Sequence, residues 1–386
     1  MTAATISKAL KPIPILYTAW GLAHGGAENQ LLQLLIRLDK TRFDPYVCNL
    51  TETANKEIAE KIVQAGVPVV NMRKRGRFTI KPILFLGGLM RKLSIQIVHS
   101  FGVSPNLWCT PVARALRVPV VLYSDHAGRL QRDWILRLNG WVSKLDDLVI
   151  AHCKINEETL HTIDGISPAK TRIIYNGVDL ARFNQKASGK LKRELGLSED
   201  TPIVCMVGRF QTGKAYDEFI TAAHLIRGKK VPCHFVCVGD GPTRPAMEKL
   251  AADLGLQGMV TFLGSREDVP DLLADCAVLV LASHREGLPI AILEGMAAGL
   301  PIVCTQVGGC QEAVIPDENG FLVPPYDTQR LAEAIYALVS NKDLAHSFGE
   351  AGKQRVSKYF DISENAEQIQ ELYLDLLSGK NGNCDC

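Results

Sequence analysis

Residues 277–301, AVLVLASHREGLPIAILEGMAAGLP, contain one complete structural unit. The apolar run at the start predicts a buried strand, and Pro289 stands where the first helical position, N1, is expected. The helix is expected to end at Gly299, with Pro301 as a stop. A strand, a loop and a helix in this order are typical of parallel α/β proteins.

The same alternation extends along the whole chain of 386 residues. Helix-length segments, for example 26–38 and 330–340, separate short apolar runs, and a polar segment at 176–200 holds the expected linker. We therefore predict an α/β fold with two doubly wound blocks, residues 1–185 and 186–360. Strands are expected at 13–18, 45–50, 67–71, 96–100, 119–123, 147–151, 171–175, 202–207, 233–239, 259–263, 277–281, 301–304 and 321–323.

The composition is that of an ordinary globular protein, with 47% hydrophobic and 22% charged residues. No run reaches the roughly 18 apolar residues that a membrane-spanning helix needs, and the N-terminus lacks the features of a signal peptide. The cysteines number eleven and are scattered, and Cys205, Cys237 and Cys304 lie in strand-like runs. We interpret them as buried reduced thiols of a cytoplasmic protein. The pair Cys384 and Cys386 fits a frayed terminus better than a metal site.

The charge is unevenly distributed although the net value is only +2. Residues 1–185 hold 24 Lys and Arg against 14 Asp and Glu, so they carry +10 and the remainder carries −8. The basic half is expected to meet something anionic, and no nucleic-acid motif is present. Two basic stretches with apolar and aromatic residues, 73–92 and 128–144, are consistent with an anionic membrane surface. A pair of helices with solvated basic faces and a buried apolar face is the alternative.

The second half places two cations at the end of a predicted strand. PIVCMVGRFQTGK, residues 202–214, leads from an apolar run into a loop that contains Gly208, Arg209 and Lys214. Ligands of doubly wound sheets bind beyond the carboxyl ends of the strands, and cations there suit an anion such as a diphosphate. An ordinary basic turn is the alternative.

Two acids in the opening stretch have different settings. Glu286 lies in the loop after the strand and is expected to be exposed, whereas Glu294 lies about two turns into an apolar helix. A buried carboxylate needs hydroxyl or N–H donors, and a ribose supplies two adjacent hydroxyls. A structural Glu that caps a neighbouring backbone is the alternative.

Glycine pairs and histidines mark further strand ends. Gly308–Gly309 and Gly25–Gly26 each stand between a predicted strand and a helix, where backbone N–H groups can approach an oxyanion. His126 in SDHAGR is the better functional candidate of two histidines near strand ends, and His99 is interpreted as mainly structural. The turn CVGDGP, residues 237–242, lacks the GxGxxG pattern of nicotinamide binding.

In their order and spacing these motifs resemble family-4 glycosyltransferases of the GT-B fold, over nearly the whole chain. The motifs are GGAE at 25–28, YNGVDLARF at 175–183, GRFQTGK at 208–214, EGLPIAILEG at 286–295 and the glycine pair followed by Glu312. The resemblance implies two Rossmann-like domains that face each other across a cleft. It also implies a retaining transferase that uses a nucleotide-activated sugar, with UDP the commonest nucleotide of similar enzymes.

The resemblance assigns the donor to the C-terminal domain and the acceptor to the N-terminal one, with helices at about 361–386 crossing back to the N-terminal domain. It implies a glycan or lipid-linked acceptor, as in cell-surface polysaccharide or glycolipid synthesis. From the cysteines we expect an enzyme of the cytoplasm, and the membrane interpretation of the basic half would place it on the inner face of the membrane. The resemblance implies no metal or other cofactor, and the sequence contains no DxD triplet of the metal-dependent GT-A class.

Roles carried over from the family fall on twelve residues. Arg209 and Lys214 would hold the diphosphate, Glu294 would bind the ribose, and Glu286 would face the sugar. The remaining residues would surround the donor: Gly25, Gly26, His126, Gly208, Gly287, Leu288, Gly308 and Gly309.

This chain departs from the family pattern at two positions. Ala215 stands where the family often has glycine, and Phe101 stands where it often has a second histidine. A nucleotide-sugar epimerase of GT-B architecture and a non-catalytic nucleotide-sugar-binding protein remain the alternatives. A pyridoxal-dependent phosphorylase would need a much longer chain.

Overall fold

The computed structural model describes residues 11–22, 25–51, 57–72, 81–126 and 133–381. Within these ranges the chain forms two compact units, each built on one parallel sheet. Unit 1 runs to Ala151, takes up Glu157–Ile174 and continues from Ala366, while unit 2 holds His152–Asn156 and Tyr175–Asn365. The predicted boundary near residue 185 and the acceptor and donor roles of the domains stay predictions.

Unit 1 contains a parallel sheet of seven strands in the order β3-β2-β1-β4-β5-β6-β7. Strand β1 pairs with β2 on one side and with β4 on the other, so the direction of winding reverses between β1 and β4. The strands are β1 Ile13–Ala19, β2 Phe43–Asn49, β3 Val69–Asn71, β4 Ile97–Phe101, β5 Val120–Asp125, β6 Leu148–Ala151 and β7 Thr171–Ile173.

Unit 2 contains a parallel sheet of six strands in the order β10-β9-β8-β11-β12-β13. Winding reverses between β8 and β11, which pair through Val204 with Val278 and Cys205 with Leu279. The strands are β8 Ile203–Val207, β9 His234–Val238, β10 Val260–Gly264, β11 Val278–Leu281, β12 Ile302–Thr305 and β13 Gly320–Val323.

Helices cover both faces of each sheet. In and around unit 1 they are α1 Gly26–Arg37, α2 Glu57–Gln64, α3 Lys81–Lys92, α4 Val103–Ala115, α5 Asp133–Ser143 and α6 Lys154–Thr162. Those of unit 2 are α7 Lys190–Glu194, α8 Tyr216–Ile226, α9 Arg244–Asp253, α10 Val269–Ala274, α11 Ile290–Ala297, α12 Cys310–Ala313, α13 Thr328–Ser340 and α14 Lys342–Tyr359, and the final helix is α15 Ile362–Asn381. Two 3-10 helices, Pro168–Lys170 and Leu180–Phe183, complete the described helical segments.

Successive strand residues point to opposite faces, so each sheet has two apolar layers. In β8, Val204 and Met206 join one fully buried cluster, while Ile203 and Cys205 join the other. Strands buried on both faces are characteristic of parallel sheets, which explains why β8 reads as an uninterrupted apolar run. Residues from Ala366 onward in α15 pack into the core of unit 1.

The predicted fold class is confirmed, and every predicted strand is present within a few residues of its expected limits. One detail of the opening stretch was wrong. Pro289 has extended backbone angles, φ −74° and ψ 124°, and precedes α11 as its N-cap instead of occupying position N1. Its missing N–H costs no intrahelical hydrogen bond at either position. Gly299, at φ +76°, ends the helix in the left-handed conformation.

The nine cysteines within the described residues are all free, and Cys205, Cys237 and Cys304 are buried as predicted. Cys384 and Cys386 lie outside the described residues, as do residues 73–80 and 128–132 of the two basic stretches. In the part of the chain that the structure covers, no helix has both the length and the apolar character needed to cross a bilayer.

Candidate functional site

The candidate site of unit 2 lies at the point where the winding of its sheet reverses. Strands β8 and β11 are neighbours there, and the loops that follow them, 208–215 and 282–289, leave from adjacent strand ends. In open α/β sheets this is where a crevice for ligands forms. The two cations and the loop acid singled out from the sequence all lie on these two loops.

The loop after β8 is held by aromatic packing and leaves one cation exposed. The Tyr216 hydroxyl donates to the Gly208 carbonyl oxygen at 2.8 Å, and the Tyr216 ring stacks on Phe210 at 3.8 Å between centroids. Arg209 is exposed, and its guanidinium makes no hydrogen bond or ion pair with any residue that the structure describes. This group is therefore available to an anionic ligand.

Lys214 and Glu286 form an ion pair across the two loops. Lys214 Nζ lies 2.5 Å from Glu286 Oε1, and their side chains are 20% and 10% exposed. The expectation that Glu286 is exposed was wrong, because the lysine on the neighbouring loop covers its carboxylate. Since an ammonium group has three N–H donors, Lys214 can retain this contact and still donate to a phosphate oxygen.

A histidine that the sequence analysis did not assign joins the same two loops. The His284 backbone N–H donates to the Gly213 carbonyl oxygen at 2.8 Å, and His284 Nε2 lies 2.5 Å from Glu218 Oε1. The imidazole ring also lies against the Tyr326 ring, with 3.9 Å between the centroids and the two planes tilted by 33°. Glu218 is buried, so this contact anchors the loop two residues before Glu286. The only sequence feature that could have suggested it is the position of His284 just after a strand.

The pair Gly308–Gly309 packs closely against the backbone of the loop that carries Glu286. A Cβ atom on Gly308, whose φ is +48°, would lie 2.0 Å from the Glu286 carbonyl oxygen, and one on Gly309 would lie 2.9 Å from the Gly287 carbonyl oxygen. The Gly309 N–H donates to that same Gly287 oxygen at 2.6 Å. The glycines therefore let the loop after β12 pack directly on the loop that carries Glu286.

We expect Gly308→Ala to lower the free energy of unfolding by about 2–3 kcal/mol, because the added Cβ both overlaps the Glu286 carbonyl and strains a left-handed residue. Gly287→Ala is the matched control, since a Cβ at Gly287 meets nothing within 4 Å. It should change stability by no more than about 0.5 kcal/mol. Urea denaturation of both variants measures the difference, and equal losses would contradict the packing argument.

Glu294 lies on α11 with its side chain half-buried among apolar neighbours. Its carboxylate accepts no hydrogen bond from any described residue, and burial raises its pKa to about 7 while the charge of Arg182 acts in the opposite direction. A poorly solvated carboxylate without a protein donor is costly. This setting favours a role in ligand binding over the structural alternative, in which Glu294 would cap a neighbouring backbone.

Ala215, where similar sequences often have glycine, adopts the left-handed conformation at φ +53° and ψ +45°. Such a conformation costs an L-residue about 1–2 kcal/mol. The glycine of the family pattern therefore has a physical reason, and this chain retains the same loop geometry with some strain.

Replacing Ala215 by glycine is expected to raise the free energy of unfolding by about 0.5–1 kcal/mol. The substitution relieves the backbone strain, and this gain exceeds the cost of the greater conformational freedom of glycine in the unfolded chain. The control is Ala334→Gly in the interior of α13, which should lower stability by about 1 kcal/mol. Thermal or urea unfolding gives both values. A loss of stability at position 215 would show that the buried Ala215 methyl group stabilises the fold by more than its backbone strain costs.

The remaining sequence candidates belong to unit 1. Gly25 and Gly26 stand at the N-terminus of α1, after β1, and His126 follows β5 with its ring stacked on Phe101 at 5.3 Å. His99 is fully buried in β4, with Nδ1 2.7 Å from the Tyr373 hydroxyl and Nε2 2.8 Å from the Ser124 hydroxyl. These contacts agree with the structural interpretation of His99. Among the described residues, no three His, Cys, Asp or Glu side chains group to hold a metal ion.

Two family profiles match the chain, one described as Glycosyltransferase Family 4 over residues 24–182 and one as Glycosyl transferases group 1 over residues 188–355. N-acetyl-alpha-D-glucosaminyl L-malate synthase of Bacillus anthracis is 29% identical over 300 residues, which are 75% of this chain and 77% of that protein. UDP-Gal:alpha-D-GlcNAc-diphosphoundecaprenol alpha-1,3-galactosyltransferase of Escherichia coli is 28% identical over 317 residues, 78% and 81% of the two chains.

Solved structures show the same fold at lower identity. The crystal structure of Anabaena Alr3699/HepE in complex with UDP and glucose superimposes with a TM-score of 0.85 at 22% identity, and the match covers 94% of this chain and 100% of that one. The likeness extends over both units of the chain described above.

Proposed function

The chain belongs to the family-4 glycosyltransferases, and we propose that it is a retaining enzyme that transfers a sugar from a UDP-sugar to a glycan or lipid-linked acceptor. Support for the nucleotide comes from the Anabaena structure, which is a complex with UDP and glucose, and from the Escherichia coli relative, whose name specifies UDP-Gal. The same relative acts on a diphosphoundecaprenol-linked acceptor. We place the enzyme in the cytoplasm, associated with the inner face of the membrane.

The observation that carries this proposal is the charge arrangement of the two loops after β8 and β11. Arg209 is exposed and has no acceptor among the described residues, while Lys214 lies 2.5 Å from Glu286 on the facing loop. A cationic pair beside a carboxylate suits a ligand that joins an anionic diphosphate to a polyhydroxyl sugar, because each part of the ligand meets a complementary group.

In the proposed reaction the bond between the anomeric carbon and the diphosphate oxygen breaks, and Arg209 and Lys214 stabilise the charge that develops on the departing diphosphate. The acceptor oxygen bonds to the anomeric carbon on the same face, and its proton passes to the departing phosphate oxygen. The transition state resembles an oxocarbenium ion. Configuration is therefore retained without a protein nucleophile, and the products are the glycoside and the nucleoside diphosphate.

The other residues position the donor in this scheme. Glu286 accepts hydrogen bonds from sugar hydroxyls, and the backbone N–H groups of Gly287 and Leu288 help to hold sugar and phosphate. Glu294 accepts from the ribose hydroxyls. The backbone at Gly208 and at the pair Gly308–Gly309 shapes the diphosphate pocket.

We further propose donor-binding roles for three residues of unit 1, Gly25, Gly26 and His126. Gly25 and Gly26 approach the phosphates through backbone N–H groups at the N-terminus of α1, where an anion is favoured. His126 lies beside the donor sugar. These assignments are part of the proposal and follow from the matching motif positions.

The test is a panel of UDP-sugars read out first by thermal shift, because a true donor stabilises the fold, and then by release of UDP. With a donor of α configuration, the NMR spectrum of the product should show an α glycoside. A β product would overturn retention. Conversion of the UDP-sugar into its epimer would identify the epimerase alternative, and stabilisation without any UDP release from any donor would identify a binding protein.

A further inference from the structure

Unit 1 contains a large apolar groove that the proposed donor chemistry does not use. It has a volume of about 700 Å³ and lies between α3, α4 and α5. Its walls are almost entirely apolar, and one cation, Arg91, lies among them. Lining side chains include Trp20, Leu84, Trp108, Trp134 and Leu138.

The apolar walls of this groove are open to solvent. Leu84 is 65% exposed, Trp134 is 62% exposed and Leu138 is 48% exposed. Helices α3 and α5 bury some of their apolar residues, among them Leu86, Met90 and Leu136, and leave others exposed. The alternative of a buried apolar face therefore accounts for only part of each helix. Monomeric soluble proteins seldom expose a contiguous apolar surface of this kind without a binding role.

The helices that form the groove are strongly basic. Together α3, α4 and α5 carry five cations, Lys81, Arg91, Lys92, Arg114 and Arg137, against a single acid, Asp133. Arg114 is ion-paired with Asp147 outside these helices, so the remaining excess is carried mainly by α3. An occupant that matches both features is apolar along most of its length and carries an anionic group that can meet Arg91, the cation among the lining residues. A second copy of this chain matches poorly, because a two-fold interface would bring the same cations against each other.

The groove is concave, which distinguishes it from an amphipathic helix lying flat on a membrane. Its volume falls within the range of about 300–1,000 Å³ that is usual for ligand pockets. We propose that it binds the hydrocarbon chain of a lipid-linked, phosphate-bearing acceptor, with Arg91 and its cationic neighbours near the phosphate. This inference rests on the proposed transferase function, and it narrows the acceptor to a lipid-linked one.

The experiment measures binding to phosphatidylcholine vesicles that carry a polyprenyl phosphate. The reference is phosphatidylcholine vesicles in which phosphatidylglycerol supplies the same surface charge. We expect preference for the polyprenyl phosphate, a loss of about tenfold in affinity for Leu84→Gln, and a further loss for Arg91→Gln. Ile163→Gln is the matched control, since Ile163 is 63% exposed in unit 1 and does not line the groove. It should bind as the wild type does.

Three outcomes would overturn the inference. Equal binding to both kinds of vesicle would indicate a general anionic membrane surface, and no binding at low salt would exclude a lipid. A dimer that Leu84→Gln converts to a monomer, with lipid binding unchanged, would identify the groove as a subunit interface.

UDP binding and UDP release test the proposed transferase function independently of the groove. Leu84→Gln should keep the thermal stabilisation by UDP, since the substitution is remote in sequence from the donor loops and lies on an exposed surface. Intact UDP release together with absent lipid binding would overturn the groove alone. Lipid binding without turnover of any donor would overturn the transferase proposal and, with it, the acceptor role of the bound lipid.

Discussion

Replacing Lys214 by alanine is expected to lower kcat/KM for sugar transfer by about 10²–10³-fold, the usual effect of removing one preorganised donor to a developing negative charge. Lys214 is the cation that is held in place, 2.5 Å from Glu286 on the facing loop. Arg209→Ala should act in the same direction, because its guanidinium is the second cation on the loop. Steady-state transfer kinetics with the donor found in the panel provide the measurement.

A loss of folding must be separated from this loss of catalysis. Removing Lys214 leaves the Glu286 carboxylate, which is only 10% exposed, without its partner. Breaking such a pair can cost several kcal/mol of stability. The double variant Lys214→Ala with Glu286→Gln should recover stability because no unpaired charge remains, and it should stay as inactive as the single variant.

The control for general surface effects is Lys249→Ala. Lys249 is an exposed lysine on α9 that makes no ion pair or hydrogen bond with the described residues. Its replacement should leave transfer unchanged. Near-normal turnover by either Lys214→Ala or Arg209→Ala would show that the leaving-group assignment is wrong.

Replacing Glu294 by glutamine is expected to weaken UDP binding by about tenfold to a hundredfold, because hydrogen bonds to a charged acceptor contribute about 1.5–3 kcal/mol. Glu286→Gln should leave the affinity for free UDP nearly unchanged and impair transfer instead, since it is proposed to contact only the sugar. Isothermal titration with UDP and transfer kinetics separate the two effects. Equal losses of UDP affinity in the two variants would refute this division of roles.

The same residue makes folding depend on pH. Burial raises the pKa of Glu294 from 4.5 to about 7, so between these values the folded chain holds a proton that the unfolded chain has released. Stability from this group is therefore complete below pH 4.5 and is lost as the pH rises through 7. Between pH 5 and 8 the free energy of unfolding of the wild type should fall by up to about 2–3 kcal/mol more than that of Glu294→Gln.

Nucleotide binding should shift this titration in the opposite direction. Ribose hydroxyls donate to the ionised carboxylate and so lower its pKa, and UDP binding near pH 6.5 should release a proton from Glu294. Calorimetry in buffers of different ionisation enthalpy detects this proton. The UDP phosphates contribute equally in the wild type and in Glu294→Gln, so the difference between the two proteins reports the proton of Glu294 alone. A proton release that is unchanged in Glu294→Gln would mean that Glu294 does not meet the nucleotide.

Several features could be predicted from the sequence because they depend on neighbouring residues. A strand buried on both faces reads as an apolar run, as in 203–207, and glycine or proline marks the end of a helix, as at Gly299. Parallel strands place their carboxyl ends at one edge of a sheet. The positions of Arg209, Lys214 and Glu286 at that edge of unit 2 follow from the sequence for this reason.

The pairing of these groups was decided only by the tertiary structure. Lys214 meets Glu286 across 72 residues of chain, and His284 meets Glu218 across 66, because β8 and β11 are neighbours in the sheet. Strand order is not encoded in any local pattern. The exposure of Glu286 was mispredicted for this reason, since the lysine that covers it comes from another loop.

The contact of Gly308 and the apolar groove of unit 1 also could not be predicted from the sequence. The left-handed φ of Gly308 is a local property, but its contact with the Glu286 carbonyl exists only when two strand-end loops pack together. The sequence likewise indicated basic amphipathic stretches at 73–92 and 128–144, which contain α3 and α5, without indicating which apolar side chains each helix buries. That choice depends on how three helices pack over a sheet, because burial is a property of the neighbours that the fold supplies.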